Sequence, residues 1–469
     1  MADSSDIFKS SEPTIHHVEI TNDTITGRAG LSLFVRYLRG IDLAPHLNRL
    51  FGTMRKNRKG LPITAIFKQL LCFFVDGTSH HLVHFDDLKQ DDGYAAAIET
   101  HPETMVSSHT IKRFFAAFFM YRIYLFRRLL QQLFLWRLRV EKPEMIMLGI
   151  DTMPMDNTQA KQREGVEPTY KRSVAGFAPL QLMWGSYLID AVFRGGSRHS
   201  NHGETVPHMV EHVVGLIRKR YRKDVPIIIR LDGGFFDQKL FRLFDELGIG
   251  FIGGGRLYAD LKECVATCDP DSWQRYENDH QIWSYLELGD RRRNWKTFRR
   301  AFYTRPLCEE RQLLMEFARQ DTVLYTNLGQ GGYIDNLLDE AGLEHLKEAA
   351  QIIEAYHDRG CDELVHRALK EFGTEQLPFK RFRANAAFYY IMLLAFFLYE
   401  AFKRDVCESV VPITCYPTRL RRTVIDNAGK IVHTAGQIIL KVNTATWHRL
   451  NIEHLWYSSG SPPRFAWVS

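Results

Sequence analysis

Three acids, and a set of cations and a phenol spaced beside one of them, define the chemistry open to this chain. From Tyr356 to Lys370 the sequence reads Y-H-D-R-G-C-D-E-L-V-H-R-A-L-K. At about 100° per residue, Tyr356, Arg359, Glu363 and Lys370 fall within an arc of roughly 60° on one helix face. One carboxylate among two cations and a phenol suits a phosphate and a metal ion. Taken alone, an ordinary mixed-charge helix face explains the pattern at least as well, and Gly360 could start the helix late, leaving Tyr356 and Arg359 in the entering turn. Two apolar runs upstream, E-M-I-M-L-G-I-D and P-I-I-I-R-L-D, end in Asp151 and Asp232. Ligands collect at the carboxyl ends of strands in an open α/β sheet. Two strand-end aspartates with Glu363 from a covering helix form an oxygen-only set that suits Mg²⁺ or Mn²⁺. Two such ions about 4 Å apart can activate a water or a 3′-hydroxyl and stabilise the leaving oxygen in phosphodiester chemistry. Either aspartate alone reads as a turn cap; the joint arrangement sets them apart from Asp156, Asp237, Asp358 and Asp362.

The elements that must position these residues follow from periodicity. From Gly30 to Arg139 the pattern is helical. Within it, V-S-S-H-T-I-K-R-F-F resembles the start of a DNA recognition helix, with Ser107, Ser108 or Thr110 as cap and Lys112 and Arg113 near its N-terminal end. A capped amphipathic helix with a basic flank fits the same residues. The next helix carries Arg122, Arg127, Arg128, Arg137 and Arg139 as a cationic edge. After Pro143, strand-like runs alternate with helices at Thr205 to Tyr221 and Asp237 to Leu247, which predicts an α/β layer with a mixed sheet. Residues 255–333 read as a β-rich insertion, with strands at 290–303 and 313–328. Helices are expected at 343–372 and 383–404, and one more from Thr418 to about Leu440. The divisions expected are 1–140, 141–254, 255–333, 334–405 and a helical tail at 406–469.

Composition narrows the function classes. A chain of 469 residues with 45% apolar and 25% charged residues is long enough for several domains and ordinary for a globular protein. A net charge of +6 with unevenly placed Lys and Arg fits nucleic acid, though a basic enzyme of another kind has the same total. The seven scattered cysteines make no disulfide framework or zinc-finger spacing. The apolar run Ala387 to Phe402 contains Glu400, is short for a membrane span and reads as a buried core helix. The N-terminal residues lack the pattern of a signal peptide, and a cytoplasmic location is expected.

Tyr356, two residues, Arg359, three residues, Glu363, six residues, Lys370 resembles the Y-R-E-K signature of bacterial insertion-sequence DDE transposases. G-I-D-T (Gly149 to Thr152) and I-I-I-R-L-D-G-G-F-F (Ile227 to Phe236) resemble the motifs of the first and second aspartate. F-R-G-G-S-R-H-S-N-H-G (Phe193 to Gly203) resembles the loop after the third strand, and L-Y-T-N-L (Leu324 to Leu328) the strand leaving the insertion. The resemblance implies a ribonuclease-H-like catalytic fold split by the insertion. It implies Asp151, Asp232 and Glu363 as the metal-binding triad, and Tyr356, Arg359 and Lys370 as holders of transposon-end DNA. Trp295 is the residue it suggests for stacking on a displaced base, although core packing is the more ordinary reading of such a ring, because a half-buried strand favours aromatics anyway. The implied partners are double-stranded DNA, at element ends and target, and a second copy bridging two ends. A nuclease of this fold without strand transfer, or a DNA-binding protein that has lost catalysis, shares most of these features.

Overall fold

The computed structural model of the chain describes residues 15–54, 60–198, 203–277, 282–293, 295–307 and 321–468. At its centre lies a mixed sheet of nine strands. Across it the order is Gln274–Glu277, Ile282–Asp290, Arg299–Leu307, Thr322–Thr326, Gly250–Gly254, Ile227–Leu231, Ile146–Thr152, Leu180–Trp184 and Tyr187–Val192. Ile146–Thr152 runs parallel to Ile227–Leu231, which runs parallel to Gly250–Gly254; the other pairings are antiparallel. The continuous apolar runs that precede Asp151 and Asp232 are what such doubly covered strands require. The expected mixed α/β architecture is therefore present, but the β-rich insertion is no separate sheet. Its strands continue the central one through the pairing of Thr322–Thr326 with Gly250–Gly254. Residues 291–293 and 295–298, expected within a strand, lie in the connection between Asp290 and Arg299, and the insertion also holds a helix at Ala259–Ala266. Of the expected 313–328 strand, residues 313–320 lie outside the described residues, as do 199–202 of the loop after Tyr187–Val192.

The helix Phe382–Phe402 is the hub of the helical layer. The run Phe382–Cys407 is long and apolar enough to cross a membrane, yet its apolar window is wholly buried inside the fold. Phe34, Phe74, Phe115 and Phe126 of the N-terminal helices stack on its Phe402, Phe388 and Tyr390 at ring distances of 5.3–6.0 Å. The N-terminal helices thus share one continuous core with the sheet. Two of the arginines expected as a cationic edge on Met120–Glu141 are used inside the protein. Arg127 makes a two-pronged contact with buried Asp190 at 2.7 and 2.8 Å, and one nitrogen of Arg137 donates to both Asp405 oxygens at 2.9 and 2.8 Å.

The tail departs from the expected helix between Thr418 and Leu440. The helix stops after one short turn, Pro417–Leu420, with a wider turn over Arg421–Ile425. Gly429–Thr434 and Gln437–Lys441 then form a hairpin, joined on its other edge by Thr24–Thr26. Ala435 and Gly436 both have positive φ, 47° and 74°, as a two-residue hairpin turn of the right twist demands. The flanking residues are rich in β-branched side chains, Ile431, Val432, Ile438 and Ile439, which favour extended strands. Arg421 is buried and donates to the carbonyls of Phe74, Val75 and Phe372 at 2.6, 2.9 and 2.7 Å. It thereby satisfies the C-terminal ends of two helices at once, a role that suits a cation.

One buried ion pair fixes the signature helix to the sheet. Arg230, on the strand leading to Asp232, donates to Asp362 at 2.9 Å, and Asp362 precedes Glu363. Gly149, on the strand leading to Asp151, makes room for that carboxylate: a Cβ there would lie 2.5 Å from Asp362 Oδ2. Removing one partner of such a pair leaves the other charge buried, at a cost of about 3–5 kcal/mol. Asp362→Ala is expected to destabilise by about that amount in urea titrations, and Gly149→Ala by a smaller amount. Because both act on one carboxylate, the double variant should be much less destabilised than the sum of the two. Strict additivity would separate Gly149 from the ion pair.

Candidate functional site

Ile150 and Leu231 are register partners on adjacent parallel strands, so Asp151 and Asp232 follow side by side at the strands' carboxyl ends. Each carboxylate is set by a nearby backbone N–H. Asp151 accepts from Thr152 at 2.7 Å, and Asp232 caps the turn Gly233–Phe235 by accepting from Gly234 at 2.9 Å. Thr152 is held in turn: its hydroxyl accepts from buried Arg194 at 3.0 Å, and Arg194 also donates to Ala178 at 3.0 Å. Arg194 belongs to the F-R-G-G loop, so that loop braces the first aspartate through its neighbour.

The signature does not lie on one helix. Ala349–His357 ends at Asp358, and a second helix, Gly360–Phe372, starts with Arg359 as its N-cap. Tyr356 is on the first helix, Arg359 at the joint, and Glu363 and Lys370 on the second. The joint sits where Gly360 raised that alternative in the sequence. Tyr356 tucks its hydroxyl toward Gly254 and Gly233; a Cβ on Gly254 would lie 2.5 Å from the hydroxyl oxygen. The Arg359 guanidinium lies 5.8 Å from the Tyr356 ring.

Electrostatics show which residues share the site. Burial, then the negative charge of Asp232, pushes the Asp151 carboxyl up to about 7. The Tyr170 phenol is pushed up to about 12 by burial and by Asp151, Asp232 and Glu363 together. Arg359 is desolvated but held above its usual range by Tyr356 and the same three acids. The three acids therefore act on one phenol and one guanidinium. Among the described residues, no three His, Cys, Asp or Glu side chains are drawn close enough to form a ready metal cage. The donor set nevertheless fits a divalent cation: two like charges crowd one another on adjacent strands, and Arg359 compensates them only in part, which leaves Asp151 with a raised affinity for a proton.

Other sequence-derived residues are placed differently. Lys370 pairs with Glu375 at 2.6 Å, on the loop after its helix. Trp295 packs against Phe236, Phe241 and Tyr325 at ring distances of 5.6, 6.0 and 5.4 Å, so its faces are engaged in the packing beside the second-aspartate motif. Lys112 and Arg113 are exposed on Ser108–Ala116, which Ser107 caps by accepting from Thr110 at 3.3 Å. Lys112 lines a cleft with His80, His81, Arg163 and Lys380. Asp362 is structural, as its ion pair shows.

Two side chains escaped the sequence reading. His366, one turn beyond Glu363, is buried with its Nδ1 3.8 Å from Asp151, and burial, with Lys370, Lys171 and Arg359, pushes it down to about 4. It is neutral at pH 7 and its Nε2 has no hydrogen-bond partner. Its i+3 spacing from Glu363 was the available signal. Tyr170 gave none, because it stands on a loop between two strands of only two and three residues, Glu167–Pro168 and Ala175–Phe177.

The raised Asp151 sets a pH dependence. An unfolded Asp titrates near 4. Between about 4 and 7 the folded protein binds the proton and the unfolded chain does not, so stability falls as pH rises through that window. Without divalent metal, wild type should lose roughly 2–4 kcal/mol more than Asp151→Asn between pH 4.5 and 7.5 in urea titrations. Mg²⁺ at pH 7.5 should restore wild type and leave the variant unmoved. Parallel pH curves for the two proteins would show that Asp151 is not crowded.

The transposase DDE domain family, group 1, matches residues 12–456. No curated protein matches this chain. Among solved structures, the chain is similar to the piggyBac transposase in its synaptic complex with hairpin DNA, at 12% identity and a TM-score of 0.37, over 86% of this chain and 81% of that one. The family match covers nearly the whole chain, including both aspartate strands and the signature helices, and the protein belongs to the DDE transposase domain family, group 1.

Proposed function

We propose that the protein is the DNA transposase of an insertion sequence. It binds the terminal inverted repeats of its element, cuts phosphodiester bonds there and joins the freed 3′-hydroxyl to target DNA. One observation carries the reading: two aspartates end in-register parallel strands, beneath a helix that brings Glu363 into the same field, in a chain of this family. The central strand order, with two parallel neighbours on one side and an antiparallel pair on the other, is in keeping with a ribonuclease-H-like domain.

Asp151, Asp232 and Glu363 would hold Mg²⁺ or Mn²⁺, two ions in the fullest form. When bound, these supply an activated oxygen nucleophile and a Lewis acid for the leaving oxygen. The chain's own residues do the rest. Arg359 sits between the triad and Tyr356, where a guanidinium can grip two phosphate oxygens at once. Lys370 exchanges Glu375 for a phosphate when DNA arrives. His366, neutral against Asp151, leaves the carboxylate's charge available for metal. Lys112 and Arg113 contact the DNA flanking the cleavage point, and a dimer brings two ends together. Trp295 would have to leave its aromatic cluster to stack on a displaced base.

Asp151→Ala, Asp232→Ala and Glu363→Ala are each expected to reduce Mg²⁺-dependent cleavage of a terminal-repeat duplex to background while affinity for that duplex stays within about twofold. Wild-type cleavage by any one would remove that residue from the triad. Arg359→Ala should weaken binding of a cleaved end and lower the slope of log affinity against log salt by about one. An unchanged slope would exclude a phosphate contact at Arg359.

A further inference from the structure

A small second sheet stands over the strand ends. Met155–Asp156, Ala175–Phe177 and Glu167–Pro168 pair antiparallel, and the chain between the last two turns back at residues 169–174, T-Y-K-R-S-V. Its base is fixed in several ways. Gly176 passes so close to Met155 that a Cβ would lie 1.8 Å from the Met155 carbonyl oxygen. Gly196, from the F-R-G-G loop, packs as closely, 2.2 Å from the Glu167 carbonyl oxygen by the same measure. Glu167 accepts from the Ser197 N–H at 3.1 Å and from the Ser197 hydroxyl. Within the turn, Thr169 N–H and hydroxyl both donate to the Val174 carbonyl, at 2.9 and 3.0 Å, and Ser173 takes φ 63° to close it. The tip is aimed rather than loose.

What the tip carries has little structural use. Tyr170 is 59% exposed. Its hydroxyl donates to the Thr152 carbonyl, next to Asp151, at 3.3 Å, well beyond the usual 2.7–2.8 Å for such a bond. A tyrosine placed for stability would bury its ring and shorten that contact. Lys171 and Arg172 are exposed, and among the described residues neither has a carboxylate within ion-pair distance, although Lys171 is near enough to act on His366, which lies 3.8 Å from Asp151. Unpaired cations next to crowded carboxylates complement a polyanion that arrives with its own metal-bridged charge.

We propose that the 169–174 hairpin is a clamp on the reacting DNA strand, in which the Tyr170 hydroxyl leaves the Thr152 carbonyl to donate to a non-bridging oxygen of the scissile phosphate, while Lys171 neutralises an adjoining phosphate. The clamp rests on the transposase reading, since it needs a phosphodiester at the triad. Tyr170 is then a catalytic residue in the strict sense, touching the reacting group. No proton is transferred to or from the phenol; the donated hydrogen bond strengthens as charge gathers on the phosphate oxygens.

The test uses the full chain, Mg²⁺ and a terminal-repeat duplex with a single phosphorothioate of defined stereochemistry at the cleavage position. Tyr170→Phe should slow single-turnover cleavage about 10- to 100-fold, the worth of one hydrogen bond to a charged group, with duplex affinity unchanged. Sulfur in place of the contacted oxygen should slow wild type and have no further effect on Tyr170→Phe, a signature that a merely structural role would not give. Lys171→Ala should lower the salt slope of binding by about one. If Tyr170→Phe cuts at the wild-type rate, or if the sulfur effect persists in it, while Asp151→Asn is inactive, the clamp is overturned and the transposase reading stands. If Asp151→Asn also cuts normally, the clamp falls together with Asp151's place in the triad, and if wild type leaves the duplex uncut, the transposase reading falls.

Discussion

The Arg230–Asp362 pair is the constraint on which the site depends. It ties the strand that ends in Asp232 to the helix that carries Glu363, and it does so directly above the glycine of the strand that ends in Asp151. Arg230 also reaches the Ala355 carbonyl at 3.3 Å, so the same guanidinium holds the helix bearing Tyr356. Three segments far apart in sequence are thereby given one relative position. The pair is expensive to bury, and its partners could be replaced by apolar residues without loss of stability in many proteins. Here an apolar contact would allow the helix to slide or rotate, whereas a directional ion pair does not. Register, rather than stability, is the physical reason for an aspartate beside Glu363.

The site itself carries the opposite property. Asp151 and Asp232 are forced together by strand register, and Arg359 compensates them only in part. A protein selected only for stability would not place two carboxylates at neighbouring strand ends under a helix. Crowding of this kind is tolerated where the missing positive charge is supplied by what binds. Rigidity around the pair is correspondingly high: Arg194 holds Thr152, a turn N–H holds Asp232, and buried His366 closes the side facing the signature helix.

The strand-end aspartates were legible because their two features, an apolar run and a terminal acid, are local. Glu363 was legible by its spacing. What the sequence could not place were contacts set by tertiary closure. The break at Asp358 leaves Tyr356 on a different helix, although helical arithmetic put it on the same face. Arginines that looked like a cationic edge on Met120–Glu141 are matched by Asp190 and Asp405, distant residues with no pattern to announce them. The 429–441 hairpin is hard to see in the sequence because its Ala-Gly turn lacks the usual Asn-Gly or Asp-Gly. Trp295, open to either reading by type, is packed among three rings.

A last consequence concerns how the N-terminal region can act. Expected as a DNA-binding division of its own, it is joined to the sheet by one core and stapled at its edges: Thr24–Thr26 pairs with the tail hairpin, and Arg421 closes the helix Ile63–Asp76 together with the signature helix. Lys112 shares its cleft with Arg163 and Lys380, and Glu164, beside Arg163, donates its N–H to the Lys380 carbonyl at 2.9 Å. Arg163 lies in the same excursion of chain, between Met155–Asp156 and Ala175–Phe177, that carries Tyr170. The basic residues of the N-terminal helix and the hairpin over the triad are therefore parts of one rigid surface. On the transposase reading, DNA held by the first would be presented to the second at a fixed offset, and the distance from recognised sequence to cleavage point would be set by packing rather than by a linker.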